Sequence, residues 1–291
     1  MKRKQGARAL ELKAASAAPP RNVSQLLPSG EAMAMLIRRG YGPETRTSDP
    51  PFLPLLDERR EAKLSEWLGH YAFRLFFRGA IRRPEGFLPV ETTRYLELDK
   101  TVEYAETLVD LGLAEKAGGR YRLKWVASSF GGVLEWYVGR ELARRFGFDV
   151  ITGVKLHVPG VGGDLDVVAA AEGKLVYLEL KSSPPRNLAQ KDVGAFCDRL
   201  YFLRPDLSLF VVDTALRLSD KILPMFMEEF ARRGHKISGR KKIAAQLWAL
   251  TPGIYLVNGS RDLIMNIGKA IAAGFRAFSP DPWSRANKGF F

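Results

Sequence analysis

The segment between Gly162 and Ser182, GGDLDVVAAAEGKLVYLELKS, permits few folds, because it places two aspartates, a glutamate and a lysine inside two otherwise apolar strands. The two-residue period of a strand sends Val176, Leu178 and Leu180 to one face and Tyr177, Glu179 and Lys181 to the other. Asp164-Leu165-Asp166-Val167-Val168-Ala169 alternates in the same way, with Leu165, Val167 and Ala169 toward a core and both aspartates opposite. The turn Ala171-Glu172-Gly173-Lys174 lets the two strands pair as a hairpin. That pairing sets Asp166 across from the Glu179 end of the second strand, so two or three carboxylates and one ammonium collect at one spot.

Carboxylates brought together on a partly buried sheet are costly unless a cation compensates them, and hard oxygen ligands select Mg²⁺ or Mn²⁺. Asp166 and Glu179 are the expected metal ligands. Asp164, at the strand entrance after Gly163, is either a further ligand or a turn-forming aspartate. Lys181 beside such a metal would orient an attacking water and offset charge building on a phosphoryl group. Phosphodiester hydrolysis is the chemistry this set suits.

An aspartate followed on the neighbouring strand by Glu-x-Lys resembles the signature of the PD-(D/E)xK, or restriction-endonuclease-like, nuclease superfamily, with Asp166, Glu179 and Lys181 carrying the match. The start of the preceding helix, Gly131-Gly132-Val133-Leu134-Glu135-Trp136-Tyr137-Val138, is similar to that of Holliday-junction-resolvase-like proteins and of the nuclease domains of some CRISPR ancillary proteins. The resemblance covers roughly residues 129–214. It implies an α/β core of mixed sheet in the order α-β-β-β-α-β, a helix-borne acid at Glu135 directed to the metal, and a homodimer as the working assembly. Helical spacing places Glu135 with Val138, Leu142 and Phe146 on one face. A second helix is expected over Asn187–Leu203, with Gln190 and Ser182 as further phosphate or water contacts, and a buried strand over Leu207–Asp213.

The charge balance agrees with a nucleic-acid partner: 45 Lys and Arg against 32 Asp and Glu leave a formal charge of +13, which draws a polyanion by steering and counterion release, and the resemblance implies DNA before RNA. No run of 18 or more apolar residues is present, and the basic start lacks an apolar segment behind it, so a membrane partner is not expected and the cytoplasm is the expected location. The single cysteine, Cys197, excludes an internal disulfide, and with only three histidines a Cys/His zinc site has too few ligands.

Residues 1–54 are rich in Ala, Pro, Ser and Arg, and are expected to form a basic, largely extended arm with one short helix from Gly30 to Arg39. Residues 55–128 show three helical stretches, Asp57–Gly79, Leu88–Leu96 and Leu98–Leu111, then a hairpin signal around Gly118-Gly119. That pattern resembles a winged helix, in which Lys116, Arg120 and Arg122 of the wing would meet DNA. The nuclease-like domain is expected to occupy residues 129–291. Within it, the run from Arg232 through Arg233, His235, Lys236, Arg240 and Lys241 to Lys242 contains no acid and is the expected phosphate-contacting loop. A closing helix is expected after Ser260 as its N-cap. The residues also remain compatible with a non-catalytic DNA-binding scaffold and with an RNA-processing nuclease.

Overall fold

A computed structural model of the chain describes residues 30–45, 50–126, 129–157, 163–235 and 241–279. Its centre is an eight-stranded mixed sheet with helices on both faces. The strands are β1 (Pro43–Thr45), β4 (Asp149–Leu156), β5 (Asp164–Ala171), β6 (Lys174–Lys181), β7 (Leu207–Val212), β8 (Lys241–Ala244), β9 (Leu247–Thr251) and β10 (Ile254–Asn258). In space they run β1-β4-β5-β6-β7-β10-β9-β8. β4, β5 and β6 form an antiparallel meander, whereas β7 joins β6, and β10 joins β7, in parallel. A parallel neighbour needs a crossover, and α6 (Gln190–Leu203) supplies the one between β6 and β7.

The β5–β6 hairpin forms as the alternation requires. Ala171 pairs with Lys174, leaving the two-residue loop Glu172-Gly173, and both loop residues have positive φ, 52° and 69°, the geometry that matches strand twist. The alternation was misleading on one point, since both faces of these strands are covered. Val167, Ala169, Val176 and Leu178 face a cluster with α5 (Gly131–Phe146) and α8 (Leu263–Phe278), while Leu165, expected with Val167 and Ala169, lies instead with Val168, Ala170 and Tyr177 against α1 (Glu31–Arg38), α6 and α7 (Ile222–Arg232). The apolar run in β7, buried at every position, is the sequence mark of such a two-sided strand.

The element order from α5 through β4, β5, β6 and α6 to β7 is α-β-β-β-α-β. Gly147 closes α5 at φ 66°, its N–H bonding Ala143 O while Phe148 N–H bonds Leu142 O. The buried stripe of α5 is Leu134, Tyr137, Val138, Glu141 and Leu142; Phe146, expected on it, is 36% exposed. The buried acid of that helix is Glu141, held by Ser65 at 2.7 Å and by Arg144 and Arg145.

The expected long helix from Asp57 breaks at His70 into α2 (Glu58–Gly69) and α3 (Tyr71–Ile81). Arg74 explains the break, because its Nη1 donates to Leu68 O at 2.5 Å and Gly69 O at 3.0 Å, satisfying carbonyls that a continuous helix would have used itself. Asp57 caps α2 by accepting from Arg60 N. Of the expected helix at Leu88–Leu96 only a 3-10 turn, Pro89–Glu91, forms. α4 (Leu98–Asp110) and the hairpin of β2 (Ala114–Ala117) and β3 (Arg120–Leu123) follow. Residues 30–45 are not an extended arm: α1 packs on β4 and β5, and β1 pairs antiparallel with β4. α8 starts two residues later than expected, with Asp262 in place of Ser260 accepting from Met265 N at 2.9 Å. No helix among the described residues is long and apolar enough to cross a membrane.

Candidate active site

The C-terminal ends of the parallel strands β6 and β7 carry the polar groups. Glu179 is 2% exposed, and a carboxylate so deep in a sheet needs full compensation. It has it: Lys181 Nζ lies 2.8 Å from Oε1, Arg199 Nη1 lies 2.6 Å from Oε2, and the Tyr177 hydroxyl donates to Oε2. Arg199 comes from α6, which the parallel crossover lays over this face, and its Nη1 also lies 3.5 Å from the Tyr177 hydroxyl. Lys181 is further flanked by Asp192 at 4.0 Å, from the first turn of α6. Burial works against the lysine's charge, but Glu179, Asp166 and Asp192 outweigh it and raise its pKa. Lys181 is therefore an ammonium at neutral pH, suited to hold water or an anion and not to accept a proton.

Asp166 is half-buried one strand away, its Oδ2 accepting Leu180 N–H at 2.6 Å. Burial, then Glu179, then Glu135 push its carboxyl well above the usual aspartate range. The three acids chosen from sequence thus bear on one another, and Glu135 reaches this group from the first turns of α5. Asp164 stands apart, opposite Lys155 in the β4–β5 ladder. Among the described residues no three acidic, histidine or cysteine side chains converge closely enough to cage an ion by themselves. A Mg²⁺ site does not require such a cage, since this ion commonly takes one or two carboxylates and completes its shell with waters and substrate phosphate.

The raised carboxyl has a consequence whose sign is fixed. With its folded-state pKa above the unfolded one, the folded protein keeps a proton that the unfolded chain has released. In metal-free buffer stability should fall as pH rises from about 4, the ordinary aspartate range, and level off above the raised value. The difference between wild-type and Asp166→Asn urea midpoints across that window isolates the effect, and a difference that does not vary with pH would remove Asp166 from the coupled group.

Two arginines extend the network. Asp213 follows β7, is fully buried, and receives Arg74 Nε at 3.0 Å and Arg78 Nη2 at 2.8 Å from α3. Its own N–H donates to Lys181 O at 2.8 Å. Sequence reasoning missed Arg74, Arg78, Arg199 and Asp213. The available signals were two arginines four residues apart in the aromatic run of α3, and an aspartate closing a wholly apolar strand.

The expected nucleic-acid contacts are differently placed. Arg232 Nη2 lies 2.6 Å from Glu229, and Arg233 binds both Glu229 at 2.6 Å and Asp198 at 2.7 Å. The acids that answer this run lie one helical turn earlier and on α6, outside the stretch where the sequence showed none. Hydrogen bonds from these arginines hold Glu229 down at about 2. Lys236 and Arg240 lie outside the described residues, Lys241 begins β8, and Lys242 Nζ stands 5.9 Å from the Trp248 ring. In the hairpin Lys116 pairs with Glu106 at 2.7 Å, Arg120 with Glu91 at 2.6 Å and Arg122 with Glu115 at 2.6 Å. Each of these hairpin cations is thus matched by a carboxylate, which lowers the field it offers a phosphate. Gln190 donates to Met225 O at 3.0 Å, tying α6 to α7, while His235 is exposed just past α7 and Ser182 is half-buried after Lys181. Cys197 is core, and burial pushes its thiol up to about 12.

No family model and no curated protein matches the chain. Among solved structures it is similar to protein VC1899 from Vibrio cholerae, with 18% identity, 82% of this chain and 61% of that one covered, and a TM-score of 0.47. It is also similar to Can2 from Sulfobacillus thermosulfidooxidans in complex with cyclic tetra-adenylate (cA4), with 16% identity, coverages of 83% and 60%, and a TM-score of 0.44. The chain spans about three fifths of the length of each of these chains. At these values neither neighbour assigns an activity to this chain.

Proposed function

We propose that this protein is a metal-dependent nuclease that hydrolyses phosphodiester bonds, of DNA in preference to RNA, through a restriction-endonuclease-like site at Asp166, Glu179 and Lys181. The observation that carries this reading is Asp166: a half-buried carboxyl repelled by Glu179 and Glu135, within the influence of an obligate ammonium. A group held in that state binds a cation with relief of repulsion, and perturbed carboxylates beside a fixed lysine mark functional sites more often than scaffolds. Asp166 would hold the ion with Glu135 and Glu179, with Asp164 as a candidate from the strand entrance. Bound Mg²⁺ or Mn²⁺ would polarise the phosphate and lower the pKa of a water. Lys181 orients the attacking water and offsets charge on the phosphoryl oxygens. Arg199 fixes the Glu179 carboxylate, and through it the position of Lys181.

The test is cleavage of labelled single-stranded, duplex and branched DNA and of RNA, with Mg²⁺, with Mn²⁺ and with EDTA. Cleavage that needs the metal and disappears in EDTA is expected. Cleavage that persists in EDTA would overturn the metal site, and binding without cleavage on any substrate would leave the non-catalytic scaffold reading in its place.

A further inference from the structure

One exposed aromatic residue lies on the turn that packs against α3, the helix whose Arg74 and Arg78 reach Asp213 at the end of β7. Tyr95 is 63% exposed, in the turn between the 3-10 turn at Pro89–Glu91 and α4. The turn is held firmly: Tyr95 N–H donates to Thr93 Oγ1 at 3.3 Å, and the preceding backbone lies against Gly79 of α3, where an added Cβ would meet Thr92 O at 1.8 Å. Only glycine permits that approach. Arg94 lies over the Tyr95 ring at 5.1 Å and donates to its hydroxyl at 3.1 Å, so the ring is braced in one orientation.

The charges that bear on this ring are cationic. Its hydroxyl pKa is lowered by the hydrogen bond from Arg94 and by the positive charges of Arg94 and Arg186. Arg186 is exposed on the 3-10 turn Pro185–Asn187, in the loop that leaves β6 directly after Lys181 and returns at α6 beside Asp192. Lys221, which precedes α7, donates to Arg186 O at 3.1 Å and sets a further cation against this loop. Among the described residues no carboxylate forms an ion pair with Arg94, Arg186 or Lys221, in contrast to the cations of the hairpin and of the α7 end. A braced, exposed ring flanked by unmatched guanidinium groups is the combination that stacks a base and holds its phosphates.

We propose that Tyr95, with Arg94 and Arg186, forms a platform for a single-stranded polynucleotide, stacking one unpaired base on the ring and leading its backbone along the loop that follows Lys181. The role as a substrate guide rests on the nuclease reading, whereas the binding itself does not. An unpaired base is required because a duplex keeps its π-faces covered by neighbouring bases.

Binding is therefore measured on the Asp166→Asn chain in EDTA, by anisotropy with labelled oligothymidylate, oligouridylate and a DNA duplex. Tyr95→Ala should weaken the single strands by about 5- to 100-fold, Tyr95→Trp should restore the affinity with quenching of the new indole, and duplex affinity should not move. Replacing Arg94 and Arg186 by Gln should reduce the slope of log K on log salt by about 1.4 units. The proposal is overturned if Tyr95→Ala leaves single-strand affinity unchanged, if the duplex loses as much, or if the substitution alters only the oligomeric state. A Tyr95 effect in a protein that cleaves nothing would refute the nuclease reading and leave the platform standing.

Discussion

Asp166→Asn is expected to abolish metal-dependent cleavage, by about three orders of magnitude or more, while the protein still folds and still binds nucleic acid. The magnitude follows from losing an ion worth several kcal/mol of transition-state charge stabilisation, at about 1.4 kcal/mol per tenfold in rate. Folding should survive because the amide oxygen can still accept Leu180 N–H and the substitution removes a carboxylate that Glu179 and Glu135 disfavour. The variant should in fact be more stable than wild type in metal-free buffer. Lys181→Ala provides the companion measurement. An ammonium acting on charge that develops in the reaction lowers the rate by about two orders of magnitude with affinity little changed, whereas a mere phosphate contact lowers affinity alone. An Asp166→Asn protein that cleaves at the wild-type rate would end the assignment of the site.

The second large effect concerns stability. Asp213→Ala should cost about 3–5 kcal/mol in urea denaturation, because it leaves Arg74 and Arg78 buried with no anion. Desolvated charge, and not the lost pair energy, sets that cost. Replacing all three residues by apolar ones of similar volume should therefore cost less than Asp213→Ala alone. Arg74 also closes the end of α2 through Leu68 O and Gly69 O, so Arg74→Met should loosen the α2–α3 corner separately from its effect on Asp213. A loss below about 1 kcal/mol for Asp213→Ala would mean that water reaches the two guanidinium groups.

What the sequence determined by itself is local. Strand period and turn chemistry placed Asp166 beside Glu179, and Glu179 beside Lys181, because a hairpin with a two-residue loop fixes register within a few residues of chain. Glu135 comes near them only through the packing of α5 on β5 and β6, which the resemblance implied and local spacing did not. The order of elements and the dominance of positive charge were also legible, whereas the caps were not: Ser260 was expected and Asp262 caps α8. The tertiary structure decided everything that depended on which charges meet across long separations. Arg199 answers Glu179 over 20 residues and Arg74 answers Asp213 over 139, and no spacing rule connects such pairs. The acid-free run around Arg232 and Arg233 proved matched by Glu229 and Asp198, since the helix turn and the packing of α6 on α7 bring acids to it from outside. The long helix after Asp57 broke at His70 because a buried arginine competes for its carbonyls, a preference that only the folded protein creates. Period fixes neighbours along a strand or a helix; burial fixes partners, and burial is a property of the assembled layers.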